Sequence, residues 1–195
     1  MSAVHSTMMS LGTPAPDFAL PDVVSGRTIK RDDFANKPAL LVAFICNHCP
    51  FVVHIREPLA ALIKEFQPRG LAMVAVCSND ATRYPDDAPD LMAAMALRLH
   101  FTFPYLYDES QQVAHAYRAA CTPDFYVFDG LRRLVYRGRF DDARPGRSGP
   151  VTGTELRAGI ESAFGGPAVP ELAQRPSVGC NIKWKSGSEP PWFGS

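Results

Sequence analysis

Two cysteines two residues apart, Cys46-Asn47-His48-Cys49, stand immediately before Pro50. Thiols at this spacing can close a tight disulfide ring with little backbone movement. If Pro50 opens a helix, the unpaired N–H groups and positive dipole end at its N-terminus favour a thiolate, and the thiol pKa is expected below about 8.5. His48, protonated or hydrogen-bonded to a sulfur, would lower it further. The plainer alternative is that two small apolar residues finish a strand, as buried cysteines often do. A structural zinc site usually needs four ligands, and no second CxxC or HxxxH is present to supply them, so no metal is assigned. Metal binding through His48, His54 or another cysteine stays open. A second feature, Cys121-Thr122-Pro123-Asp124, precedes an apolar run. Pro123 there either begins an edge strand or follows a cis peptide bond.

The elements around these residues follow from periodicity. The run Ala39-Leu40-Leu41-Val42-Ala43-Phe44-Ile45 has no polar member and suits a strand buried on both faces. Val52, Val53, Ile55, Leu59, Leu62, Ile63 and Phe66 recur near helical spacing, with Pro58 expected to kink or break the helix. Residues 70–76 form a second buried strand, so strand, helix and strand make a parallel, right-handed βαβ unit. Further elements are expected as follows: a hairpin turning at Ser25-Gly26, a helix over 91–99 capped by Asp90, and a strand over 103–107. A helix over 111–119, two strands about Asp129-Gly130 and a helix capped by Thr154 and running through Phe164 complete the set. The domain is expected over 11–165, with residues 1–10 a flexible N-terminus and 166–195 a C-terminal tail packing on the domain.

The 195 residues carry 20 Lys+Arg against 20 Asp+Glu, which gives no global electrostatic reason to bind nucleic acid or an anionic membrane. No apolar run approaches 18 residues, and the first ten residues lack a secretory signal's basic and apolar regions. The expected compartment is cytoplasmic, where thiols are mostly reduced. Five cysteines, an odd count at low density, then ask for a catalytic, metal-binding or packing explanation.

Several stretches, CNHCPFV, FPYLYDESQ, CTPDFYVFD, YRGRFDD and SVGCNIKW, together with residues 11–18, resemble the thioredoxin-fold proteins of the alkyl-hydroperoxide-reductase/thiol-specific-antioxidant (redoxin, peroxiredoxin-like) family. The resemblance spans about residues 11–185. It implies an α/β three-layer sandwich, a central mixed β-sheet flanked by helices, with an N-terminal β-hairpin extension. It also implies that Cys46 matches an exposed, low-pKa nucleophile and Cys49 the resolving cysteine, with Thr122-Pro123 as a cis-proline loop facing them. Asn47, His48, Thr122 and Pro123 would line the substrate site. Counting back from Cys49, Cys46 and Val42 occupy the Thr and Pro positions of the peroxidase pattern Pro-x-x-x-Thr-x-x-Cys.

The function expected is thiol-disulfide exchange through Cys46 and Cys49, with no cofactor beyond that redox-active disulfide. Its partners would be a donor dithiol, such as a thioredoxin or glutathione system, and a disulfide or peroxide substrate, acting as monomer or homodimer. A thiol peroxidase and a thiol-based metal-binding module are the alternatives. Cys121 is either a third redox thiol or packing. Cys180 either folds back over the site as a late resolving cysteine or is a buried structural thiol. Cys77 reads as core, and His48 or Asp124 is a conceivable proton acceptor for Cys49.

Overall fold

The apolar run at 39–44 has nothing to offer water, and in the computed structural model, which describes residues 3–193, every one of its side chains is buried. In chain order the strands are β1 (Ala3–His5), β2 (Ala19–Pro21), β3 (Thr28–Lys30), β4 (Ala39–Phe44), β5 (Leu71–Cys77), β6 (Tyr105–Tyr107), β7 (Cys121–Thr122), β8 (Asp124–Phe128), β9 (Leu134–Gly138) and β10 (Val178–Asn181). The α-helices are α1 (Pro50–Phe66), α2 (Pro89–Arg98), α3 (Gln112–Ala116) and α4 (Thr154–Ala163).

The central sheet runs β6-β5-β4-β8-β9. β5 and β6 lie parallel to β4, as a βαβ crossover demands, while β8 runs antiparallel to its neighbours β4 and β9. One face, with Leu41, Ala43, Phe125 and Val127, packs under α1, α2 and α4. The other, with Leu40, Val42, Phe44 and Tyr126, packs under α3, the β2–β3 hairpin and the segment carrying Ile182 and Trp184. This is the mixed-sheet, three-layer α/β sandwich.

Local differences from the sequence reading have physical causes. Pro58 neither breaks nor ends α1, which runs unbroken from Pro50 to Phe66. A mid-helix proline costs about 3 kcal/mol. Burial of Val52, Ile55, Leu59, Leu62, Ile63 and Phe66 returns about 1.5–3 kcal/mol each, so packing wins. Asp90 lies inside the first turn of α2 rather than capping it, because Pro89 takes the first helical position, where a missing N–H costs nothing. α3 stops at Ala116, well short of 119, and Arg118 adopts a positive φ of 52°. Gly153, not Thr154, caps α4.

The larger corrections concern both flanks. Within residues 1–10, expected to be loose, residues 3–5 form a strand, and the Ser6 N–H donates to the Ser177 carbonyl at 3.0 Å. Residues 166–195, expected to be a tail, contribute β10, the centre of a second antiparallel sheet ordered β1-β10-β7. Short strands without hydrophobic alternation leave no periodic signal, yet β10 pairs Cys180 with Thr122 and Asn181 with Cys121.

That pairing needs glycine at 179. A Cβ there would stand 1.9 Å from the Thr122 carbonyl oxygen and 2.6 Å from its carbon, both backbone atoms that cannot step aside. Gly179→Ala is expected to destabilise the fold by about 1–3 kcal/mol through overpacking. Urea unfolding checks this, and an unchanged midpoint would contradict the close approach.

Candidate active site

β4 brings the chain to the sheet's carboxyl end, where the Ile45 N–H still donates to Val76 O at 3.0 Å. The backbone then leaves the sheet, and Cys49 caps α1 in an extended conformation with Pro50 in the first turn. Across from this turn the Thr122–Pro123 peptide is cis. Thr122 touches both sulfurs: its Oγ1 lies 3.4 Å from Cys46 Sγ, and its carbonyl oxygen lies 3.0 Å from Cys49 Sγ, placed to accept the S–H when Cys49 is protonated.

The surroundings push the two thiols in opposite directions. The Cys46 S–H donates to the Cys49 sulfur, and the N–H groups of Cys180 and Val52 and the Thr122 hydroxyl also favour charge there. Together they outweigh burial and bring Cys49 down to about 5. Cys46 moves the other way, well up, because it keeps that S–H, is buried, and faces the Asp87 charge. This differs from the expected exposed, low-pKa Cys46. Its residue is 1% exposed, and Cys49, nearer the helix N-terminus and β10, is where the negative charge is best solvated by dipoles.

Asp87 fixes the turn from below, a role that neither its spacing nor a motif marks in the sequence. Its Oδ1 accepts the Asn47 N–H at 2.7 Å, and its Oδ2 accepts Asn79 Nδ2 at 2.7 Å. His48 Nδ1 also lies 2.7 Å from Oδ2, but off the N–H direction, so this contact is an ion pair rather than a directed hydrogen bond. Asn47 Nδ2 donates to the Asp86 carbonyl at 2.9 Å, and Tyr105 Oη donates to Asn47 Oδ1 at 3.4 Å. The available signal was a PDD turn following the loop at the carboxyl end of β5, where open α/β sheets place working residues.

Burial alone would raise the Asp87 pKa, but His48, Asn79 and the Asn47 N–H outweigh it and hold the carboxyl below its ordinary value. Asp87 in turn raises the His48 imidazole against the opposing effect of burial. A raised folded-state pKa gives stabilisation that is complete below the unfolded value and lost as pH rises through the folded one. The stability difference between wild type and His48→Gln is therefore expected to shrink as pH rises above the ordinary imidazole value of about 6.5. Denaturant titrations below and above that value test it, and a pH-independent difference would refute the ion pair.

Of the sequence candidates, Cys46, Asn47, His48, Cys49, Thr122 and Pro123 meet here, and Cys180 joins them. Paired residues on antiparallel strands share a face, so Cys180, opposite Thr122, faces the two thiols. Cys121 alternates to the other face and is fully buried, which pushes its thiol up. Cys77 is likewise buried, in the core. Asp124 hydrogen-bonds Tyr126 Oη at 2.9 Å on the sheet face away from α1, and burial lifts it to about 7. It is not the proton acceptor for Cys49, and His48 is committed to Asp87. Cys46 Sγ, His48 and Asp87 lie within 4.8 Å of one another, close enough to hold a metal ion, but an ion would have to displace the hydrogen bonds Asp87 already accepts. Beside Pro123 a shallow cleft is floored by Phe51, Ile55 and Val178, with Arg139 and Arg144 at its edge.

Residues 11–137 match the AhpC/TSA family. Among solved structures, an uncharacterized conserved protein from Geobacillus kaustophilus is 50% identical, with a TM-score of 0.91 over 95% of this chain and 97% of that one. A hypothetical protein from Sinorhizobium meliloti 1021 is also 50% identical, with a TM-score of 0.90 over 94% and 99%. A putative thiol:disulfide interchange protein, DsbE, from Chlorobium tepidum is 19% identical with a TM-score of 0.61 over 80% and 99%, a likeness of fold alone. No curated protein matches this chain. The family match covers well over half of the chain, over a mixed sheet of the thioredoxin type, and the chain belongs to the AhpC/TSA family of thioredoxin-like oxidoreductases.

Proposed function

We propose that this protein is a thiol-disulfide oxidoreductase whose working groups are Cys46 and Cys49. The observation that carries the reading is the contact of both sulfurs with one residue, Thr122, directly before the cis Pro123. The Cys49 thiolate takes the Cys46 proton, and the Cys46 sulfur attacks a substrate disulfide. One substrate sulfur leaves as a thiolate and a Cys46–substrate disulfide remains. Cys49 passes that proton to the departed substrate thiolate and, as a thiolate again, attacks Cys46 Sγ. The Cys46–Cys49 bond forms, the second substrate sulfur leaves, and the substrate has gained the two electrons the pair lost. A donor dithiol of the thioredoxin or glutathione kind restores the pair by the reverse exchange. Because Cys46 is 1% exposed, substrate entry requires the turn at 46–48 to shift. The cleft beside Pro123 offers apolar contacts to an extended disulfide-bearing peptide, with Arg139, paired to Glu155, and Arg144 also lining it.

Reduction of insulin disulfides with a dithiol donor tests this. Cys49→Ser is expected to accumulate a Cys46–substrate mixed disulfide, while Cys46→Ser gives none. A trapped species on Cys49 instead would reverse the two roles.

A peroxidase reading is favoured by one observation, the lowered Cys49 pKa at the cysteine position of the peroxidase pattern. Here the Cys49 thiolate attacks a hydroperoxide oxygen, giving a sulfenic acid and an alcohol. The Cys46 thiol then condenses with the sulfenic acid, releasing water and forming the same disulfide. Dimedone labelling of Cys46→Ser after peroxide distinguishes it: a Cys49 adduct formed with saturating peroxide consumption supports this reading, and unlabelled Cys49 ends it.

A further inference from the structure

A third thiol adjoins the pair. Cys180 sits on β10 opposite Thr122, on the face of that sheet that looks at the CxxC turn. Gly179 lets β10 press against the Thr122 backbone, which in turn contacts Cys49 Sγ at 3.0 Å. Cys46, Cys49 and Cys180 fall in one buried cluster, and the Cys180 N–H favours charge on Cys49 while that charge disfavours ionisation of the Cys180 thiol.

We propose that Cys180 is a third redox thiol of this site, exchanging with the Cys46–Cys49 disulfide to give a Cys49–Cys180 disulfide and a free Cys46. This rests on the reading of Cys46 and Cys49 as the redox pair. The Cys180 thiolate attacks Cys49 Sγ. The Cys49–Cys180 bond forms, the Cys46–Cys49 bond breaks, and Cys46 leaves as a thiolate that takes up a proton. The chain's oxidation state is unchanged, so no outside oxidant or reductant enters.

The environment of Cys180 suits an exchange that starts only after the pair is oxidised. In the reduced protein its thiol is pushed up to about 11, first by burial and then by its hydrogen bond to Cys49 and the Cys49 charge. Once Cys49 is in a disulfide, that charge is gone, leaving burial opposed by Lys183. The thiol therefore becomes easier to ionise in the state where it has a disulfide to attack. Cys121, on the opposite face, is excluded by the same strand alternation.

Disulfide mapping of the full chain tests this. The protein is oxidised with diamide, quenched in acid, alkylated and analysed as peptides. Wild type is expected to give both a Cys46–Cys49 bond and a crosslink between the Cys49 and Cys180 peptides. In Cys46→Ser, four of the five cysteines remain, and two of those four thiols should be lost as a Cys49–Cys180 bond. If wild type forms Cys46–Cys49 while Cys180 stays alkylated in both proteins, the third-thiol role fails and the pair stands. If neither Cys46 nor Cys49 oxidises in wild type, the pair itself fails and this inference with it. A Cys49–Cys121 crosslink would overturn the assignment by strand face. The wild-type map needs no variant to fold, so misfolding of Cys46→Ser would not leave the question open.

Discussion

Replacing Cys49 with serine is expected to lower multiple-turnover disulfide reduction to below about one thousandth of wild type, since a residue of the reacting unit is removed and no other group does its work. The same substitution should remove a second, independent signal. Reduced wild type holds a thiolate down to about pH 5, because the Cys46 S–H and the dipoles around Cys49 stabilise that charge. Thiolate absorbance followed against pH should show an inflection near 5 in wild type and none in Cys49→Ser. An inflection that survives the substitution would mean the charge lies elsewhere. The sign of the stability effect follows. A folded-state pKa below the unfolded value means the unfolded chain binds the extra proton, so the reduced protein gains stability as pH rises from about 5 to about 8, relative to Cys49→Ser. The gain disappears as pH falls through the folded value. Stabilising the reduced form in this way also moves the couple toward an oxidant, as thiolate stabilisation does in strongly oxidising members of the fold.

Asp87→Ala is expected to have the largest effect on stability, about 3–5 kcal/mol, because it strips a fully buried charge from the groups built around it. Asn79 Nδ2 and the Asn47 N–H lose their acceptor, and His48 loses its counter-charge. Asp87→Asn separates the parts: its amide oxygen can still accept one hydrogen bond, so it should retain more stability while losing the ion pair. Chemical denaturation with both variants checks this, and equal stability of Asp87→Ala and wild type would show that Asp87 does not anchor the turn. Both variants should also change the rate at which Cys46 is alkylated, since the turn that carries it is tied down through Asn47 and His48. His48→Gln gives a milder case, with the pH dependence described above.

The parts of this fold legible in the sequence are those whose burial leaves a period. The all-apolar β4 and β5 and the amphipathic α1 could be read directly, and with them the parallel crossover that puts CxxC at a strand-to-helix junction. The two-residue β7 and four-residue β10 are too short to carry a period, and what holds them is pairing with partners distant in sequence. The site divides in the same way. Cys46 and Cys49 are adjacent in sequence and announce themselves by spacing. Asp87 looked like one carboxylate in an ordinary turn, and only the fold shows that it accepts from residues 40 positions upstream and 8 upstream. The protonation pattern was also hidden, since the N–H that helps hold charge on Cys49 comes from Cys180. That contact could not be inferred from a helix N-terminus alone.

The placement of β10 has a consequence for how the protein is made. Its residues pair with Ala3–His5 and with Cys121–Thr122, so the last wall around the CxxC turn closes over a very long loop. Such contacts form late, because loop-closure entropy must be met before they return any stability. A chain emerging during synthesis has β4, α1 and β5 well before β10 exists, and domains begin to condense from the part already made. Through that interval Cys49 lacks the Cys180 N–H, and its thiol is a weaker acid than in the finished fold. The lowered Cys49 pKa is thus a property of the closed fold, completed only when the last strand pairs.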